Sequence, residues 1–98
     1  MASIADLIFE LDTIAPPELA DAEDRIGLQV GNLNTDVKKV CISVDTSSPV
    51  INQAIDKKAD ILIAHHPLIY KPLETITTSS PVSESVVKLI RANTALWF

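Results

Sequence analysis

The chain has 98 residues, a formal net charge of −5, 47% apolar residues and 21% charged residues. That is enough for one small folded domain with a modest core, and too apolar for a disordered chain. The acidity argues against a nucleic-acid-binding surface, which needs a basic patch, and no run approaches the ~20 apolar residues that cross a bilayer.

Ser3 can cap a first helix, with Asp6 three residues later as a weaker capping box. Ile4, Leu7, Ile8, Leu11 and Ile14 fall on one face of it at helical spacing. Pro16-Pro17 ends the helix, and an acidic connection runs from Glu18 to Arg25. Ile26-Gly27-Leu28-Gln29-Val30-Gly31 alternates like a short strand. Its glycines fit either a close approach of another backbone or ligand, or plain turn chemistry. Asn32 to Asp36 reads as a turn. Val40, Ile42 and Val44 then alternate with Cys41 and Ser43 as a second strand.

Ser48 is placed to cap the next helix, with Pro49 at its first position. Val50, Ile51, Ala54 and Ile55 form its inner face, and Lys57 and Lys58 suit the negative end of the helix dipole. Ile61-Leu62-Ile63-Ala64 is a short continuous apolar run, as expected for a parallel strand covered on both faces. Residues 39–64 therefore make a βαβ unit, whose crossover should be right-handed. After a long connection from Pro67 to Pro81, a third helix starts at Ser83 or Glu84. Val86, Val87 and Ile90 point inward, and Asn93 caps its C-terminus. Ala95 opens another strand.

The order is α-β-β-α-β-α-β. It predicts an α/β fold of three layers, a mostly parallel sheet with helices on both faces, with residues 1–98 as the N-terminal portion of one such domain. Ala95-Leu96-Trp97-Phe98 is an apolar stretch with no polar tail. Domains usually end in solvated residues, so a domain cut short, with an exposed and adhesive last strand, is the expectation. Cys41 has no internal disulfide partner and reads as a small buried hydrophobe. The apolar run near Leu7 is broken by Asp6, Glu10 and Asp12, unlike a signal peptide, which makes the cytoplasm the expected location.

His65 and His66 are the two histidines of the chain, and they stand where the Ile61–Ala64 strand ends. In parallel α/β sheets, ligands bind beyond the carboxyl ends of strands. Adjacent strand residues point to opposite faces, so two neighbouring imidazoles grip one ion only where the strand breaks up; otherwise they serve two ions. Pro67 holds His66 in extended conformations. Imidazole suits zinc, iron, nickel and similar divalent ions. The alternative is one packed and one solvated histidine. Asp45 and Glu74 are candidate carboxylates, Asp45 being equally suited to a helix cap or a turn. Tyr70 and Lys71 can reach a bound anion, or lie solvated.

The Ile26–Gly31 segment, the strand ending Val44-Asp45-Thr46-Ser47, and Ala64-His65-His66-Pro67-Leu68-Ile69-Tyr70-Lys71-Pro72 together resemble the NIF-three-like family. Its members carry the name "GTP cyclohydrolase 1 type 2 homologue". The resemblance spans nearly the whole chain in the right order. It departs from the family's Trp-Asp-Asn at Glu23-Asp24-Arg25, where only Asp24 matches. It implies an α/β domain in a ring-shaped homo-hexamer, with a two-metal centre in which His65 and His66 are ligands. The other family ligands, an Asp after the strand opening at Ala95 and a distant His and Glu, have no counterpart in these 98 residues.

The expected function is a metal-dependent hydrolase acting on a nucleotide or other phosphorylated small molecule. Two divalent ions (Zn, Fe, Mn or Ni), about 3.5–4 Å apart, would activate water and polarise the scissile bond. The alternative is a non-catalytic metal-binding adaptor or metal-delivery scaffold. The cyclohydrolase name carries little weight, because a fold does not fix a chemistry.

Overall fold

Residues 2–19 and 26–98 are described by the structure, a computed structural model; Glu23-Asp24-Arg25 lies outside them. The first helix, α1 (Ile4–Ile14), starts as its sequence dictates. The Ser3 hydroxyl accepts the Asp6 N–H and the Asp6 carboxylate accepts the Ser3 N–H, closing the capping box. It stops one residue short of Ala15, whose backbone has left the helical region (φ −129°, ψ 81°) ahead of Pro16.

Four strands follow: β1 (Leu28–Val30), β2 (Val40–Ser43), β3 (Ile61–Ala64) and β4 (Ala95–Trp97). They form one sheet in the order β1-β4-β3-β2. β2, β3 and β4 are mutually parallel, and β1 runs antiparallel to β4. Two helices make the crossovers, α2 (Ser48–Asp56) between β2 and β3 and α3 (Pro81–Ala92) between β3 and β4. Both crossovers step the same way along the sheet. Crossovers of one hand then put both helices on one face, where Ile51 and Ala54 of α2 and Val86 and Leu89 of α3 share a core with Leu62 and Leu96.

Strand alternation supplies the other face. Ile61, Ile63, Ala95 and Trp97 pack with Ile4, Leu7 and Ile8 of α1, giving three layers. Ile4, Ile51, Ile61, Leu62, Leu89 and Leu96 are sealed from solvent, and each such side chain contributes about 1.5–3 kcal/mol. Cys41 is half-buried and packs on the α2–α3 core.

Several boundaries depart from the sequence pattern. β4 is not an exposed rim: it lies between β1 and β3, one of the two interior strands of the sheet. The open edges are β1 and β2, and α1 leaves Ile42 on β2 79% exposed. Ser47, not Ser48, is the N-cap of α2, and its side chain makes no capping bond. Asp45 takes the Ser47 N–H and hydroxyl into its own carboxylate instead. Lys57 is the C-cap and Lys58 lies beyond it at φ +59°, so neither sits in the last turn. α3 begins at Pro81, capped by the Ser80 hydroxyl on the Ser83 N–H. Leu89 takes the inward place expected of Ile90, which is 61% exposed. Asn93 does cap α3, in the left-handed conformation (φ 54°, ψ 40°).

Both readings of the glycines hold, one for each residue. Gly31 (φ +132°) passes so close to β4 that a side chain's Cβ would lie 2.6 Å from the Ala95 Cβ. Gly27 (φ +103°) has open space around it, so it meets only a backbone demand.

Candidate functional site

β3 carries its pairing with β2 past its own end. The His65 N–H donates to the Ser43 carbonyl (3.1 Å) and the His66 N–H to the Val44 carbonyl (2.9 Å). The backbone bends at these two residues, so the opposed directions of a regular strand are lost. The imidazole centroids stand 4.9 Å apart with the ring planes tilted 58°. Both rings are exposed, and both line one cleft of about 910 Å³. The bend, not the strand, brings the rings together.

The cleft's other wall is the C-terminal end of α1 with Pro16, Pro17 and Leu19; Gly27, Trp97 and Phe98 close its floor. Phe98 and Gly27 exchange backbone hydrogen bonds (2.8 and 3.0 Å), which fixes the floor to β1. The Trp97 indole N–H is buried and has no acceptor among the described residues.

The loop after the histidines is held from two directions. The Thr46 hydroxyl donates to the Pro67 carbonyl (3.0 Å). The Gln29 side-chain carbonyl accepts the Leu68 and Ile69 N–H groups (3.1 and 3.0 Å), and its NH2 donates to the Ile69 carbonyl (3.1 Å). Leu68 is buried in the α2–α3 core, a third anchor.

Of the candidate partners of the histidines, Tyr70 lines the cleft, at 74% exposure. Asp45, Lys71 and Glu74 do not line it. Asp45 instead serves the turn before α2. Among the described residues, the carboxylate that does line the cleft is Asp12, which sequence reasoning did not select. Its signal was present: Asp12 is half-buried and continues the stripe of Ile4 and Ile8 one turn further, an acid placed on an otherwise apolar face. Among the described residues, no three His, Cys, Asp or Glu side chains converge as a complete metal-binding set. The donor chemistry of the two imidazoles fits a first-row divalent ion, and it supplies two ligands where a catalytic zinc ion takes three from protein. No helix among the described residues is long and apolar enough to cross a membrane.

Comparison with known proteins agrees with this architecture. The family model for Duf34/NIF3 (NGG1p interacting factor 3) matches residues 2–97. A GTP cyclohydrolase 1 type 2 homolog of Listeria monocytogenes is 42% identical over 81 residues, covering 83% of this chain and 22% of that protein. Its counterpart in Lactococcus lactis is 35% identical over 94 residues, 96% of this chain and 37% of that protein. The crystal structure of the Bacillus cereus protein related to NIF3 superposes with a TM-score of 0.91 at 35% identity, covering 99% of this chain and 27% of that one. Reduced HcgD from Methanocaldococcus jannaschii gives 0.89 at 34% identity, with 97% and 38% covered. The chain thus spans between 22% and 38% of the length of these four proteins. A match over nearly every residue, with three parallel strands delivering His-His-Pro to the sheet's carboxyl edge, leads to one conclusion: the chain belongs to the Duf34/NIF3 (NGG1p interacting factor 3) family.

Proposed function

We propose that His65 and His66 are ligands of a two-metal centre, and that the protein of which they are part is a metal-dependent hydrolase of phosphorylated small molecules. The observation that carries this reading is the pair of exposed imidazoles, 4.9 Å apart, on one cleft at the carboxyl end of β3. Each ring would hold one divalent ion (Zn, Fe, Mn or Ni), with further ligands from polypeptide corresponding to the rest of the longer relatives. Bound divalent ions would activate water and neutralise phosphate charge.

The remaining chemistry falls to this chain. Tyr70, Trp97 and Phe98 bring aromatic side chains to the cleft lining, chemistry that suits a nucleobase. Asp12 is the one carboxylate on the described lining, suited to a substrate hydroxyl or amino group. The working assembly in this reading is a homo-hexamer.

One observation favours a second reading, the non-catalytic adaptor or metal-delivery scaffold. The described lining holds no Lys or Arg and is mostly apolar, which suits a protein segment better than a phosphate. Loading the intact protein with Mn2+, Fe2+ or Zn2+ and screening phosphoesters and GTP separates the two. Turnover that disappears in His65→Ala, with assembly and thermal stability unchanged, supports the hydrolase. Metal uptake with no turnover on any substrate supports the scaffold, and a protein that takes up no metal overturns both.

A further inference from the structure

We infer that Gln29 is a positioning residue for the histidine pair: a bulge in β1 turns its amide onto the loop that follows His65-His66-Pro67 and locks the bend from which both rings project. This rests on the reading of the two histidines as ligands.

The bulge is visible in the pairing. Leu28 lies opposite Trp97, whereas Val30 lies opposite Leu96, so the register shifts at Gln29. In a regular strand Leu28 and Val30 would share a face. Here Leu28 packs with the α1 cluster and Val30 with the α2–α3 core. Two steps along β1 there match one step along β4, and such bulges characteristically re-aim a side chain. Gln29 spends its amide on three backbone groups of Leu68 and Ile69, forty residues away in sequence. A primary amide is the group this needs, because it must accept two N–H groups and donate to a carbonyl at once.

The consequence reaches the rings through the backbone. At the bend itself, the His65 and His66 N–H groups are tied to the Ser43 and Val44 carbonyls. After it, Pro67 is tied to Thr46, and Leu68 and Ile69 to Gln29. The backbone of the two-residue bend is therefore held at the histidines and again just after them, which restricts the places from which the two rings project before any ion arrives. Groups that orient ligands in this way matter to metal affinity although they never touch the ion.

The test is NMR on metal-free protein, followed by Mn2+ titration read as paramagnetic broadening of the two imidazole signals. Gln29→Met, similar in size but without the amide, should speed amide exchange at Leu68 and Ile69 and abolish the ring-to-ring contact signal. It should also raise the Mn2+ concentration for half-broadening about tenfold. Gln29→Glu retains the oxygen that accepts both N–H groups but sets its second carboxylate oxygen against the Ile69 carbonyl. It should fall between wild type and Gln29→Met, and it decides the matter if the Met variant does not fold. Ser3→Ala, a destabilising change at the far end of α1, should move neither the ring contact nor the Mn2+ response. Ring contact and exchange unchanged from wild type in the folded variants overturn the inference. A wild-type chain whose rings ignore Mn2+ sinks the metal reading alone, and exchange and ring contact still judge the clamp.

Discussion

Gly31 and Gly27 look equivalent in the sequence and are not equivalent in the fold. An alanine at Gly31 meets an unfavourable φ and also strikes Ala95 at 2.6 Å, on the strand that holds the sheet's centre. An alanine at Gly27 meets only the φ. Urea denaturation should show Gly31→Ala losing about 3 kcal/mol or more and Gly27→Ala about 1 kcal/mol. Equal losses would mean that β4 yields to β1 rather than resisting it. The same contrast explains what could be read at this scale. His65 and His66, whose rings both line one cleft, drew notice for their place at the carboxyl end of an apolar strand, just before a proline. Gln29 and Asp12 did not: a glutamine in a short strand and an acid on an amphipathic helix are ordinary until a bulge and a cleft give them direction.

Asp60 joins three strands at the level of whole elements. Its carboxylate accepts the Lys38 and Lys39 N–H groups (2.7 and 2.9 Å), its N–H donates to the Lys39 carbonyl, and its own carbonyl accepts the Ala95 N–H. Removing the carboxylate leaves the start of β2 with two unanswered donors. Asp60→Ala should therefore cost about 2 kcal/mol, seen as a lower urea midpoint with an unchanged slope. A midpoint like wild type would show that water replaces the carboxylate without loss. The elements themselves were legible because their periods are clean, 3.6 for α1 and 2 for β2. Their ends were less so. Two serines stand before Pro49, and the choice between them turns on Asp45 capturing Ser47, a contact no local pattern encodes. α3 starts earlier than its apolar stripe suggests because Ser80 caps it and Pro81 fits the first turn.

The whole of the described structure presents a pair of imidazoles on a three-layer sandwich. Two imidazoles without converging carboxylates among the described residues leave any ion mostly coordinated by water. Titrating the 98-residue chain with Zn2+ should give a shallow, non-stoichiometric curve; tight uptake at a fixed ratio would mean that this chain alone completes the centre. Fold class was readable at this scale, since strand-helix-strand order commits the chain to parallel pairing with helices on the sheet. Strand order was not. The four apolar residues at Ala95–Phe98 gave no sign that they would take the middle of the sheet rather than its rim, because that choice is made by Ile61, Ile63 and Leu28 on neighbouring strands.

That middle position bears on how the polypeptide acquires its shape during synthesis. β2 and β3 can pair as soon as both have left the ribosome, but β1, made before either, finds no strand to join until residues 95–97 emerge. Until then the Gly-Leu-Gln-Val-Gly segment must wait with its backbone groups facing water, and the clamp on the histidine loop waits with it. Of the four described strands, β4 is made after the others and is the one that joins β1 to the sheet, so the ligand edge is held from the β1 side only once residues 95–97 have emerged.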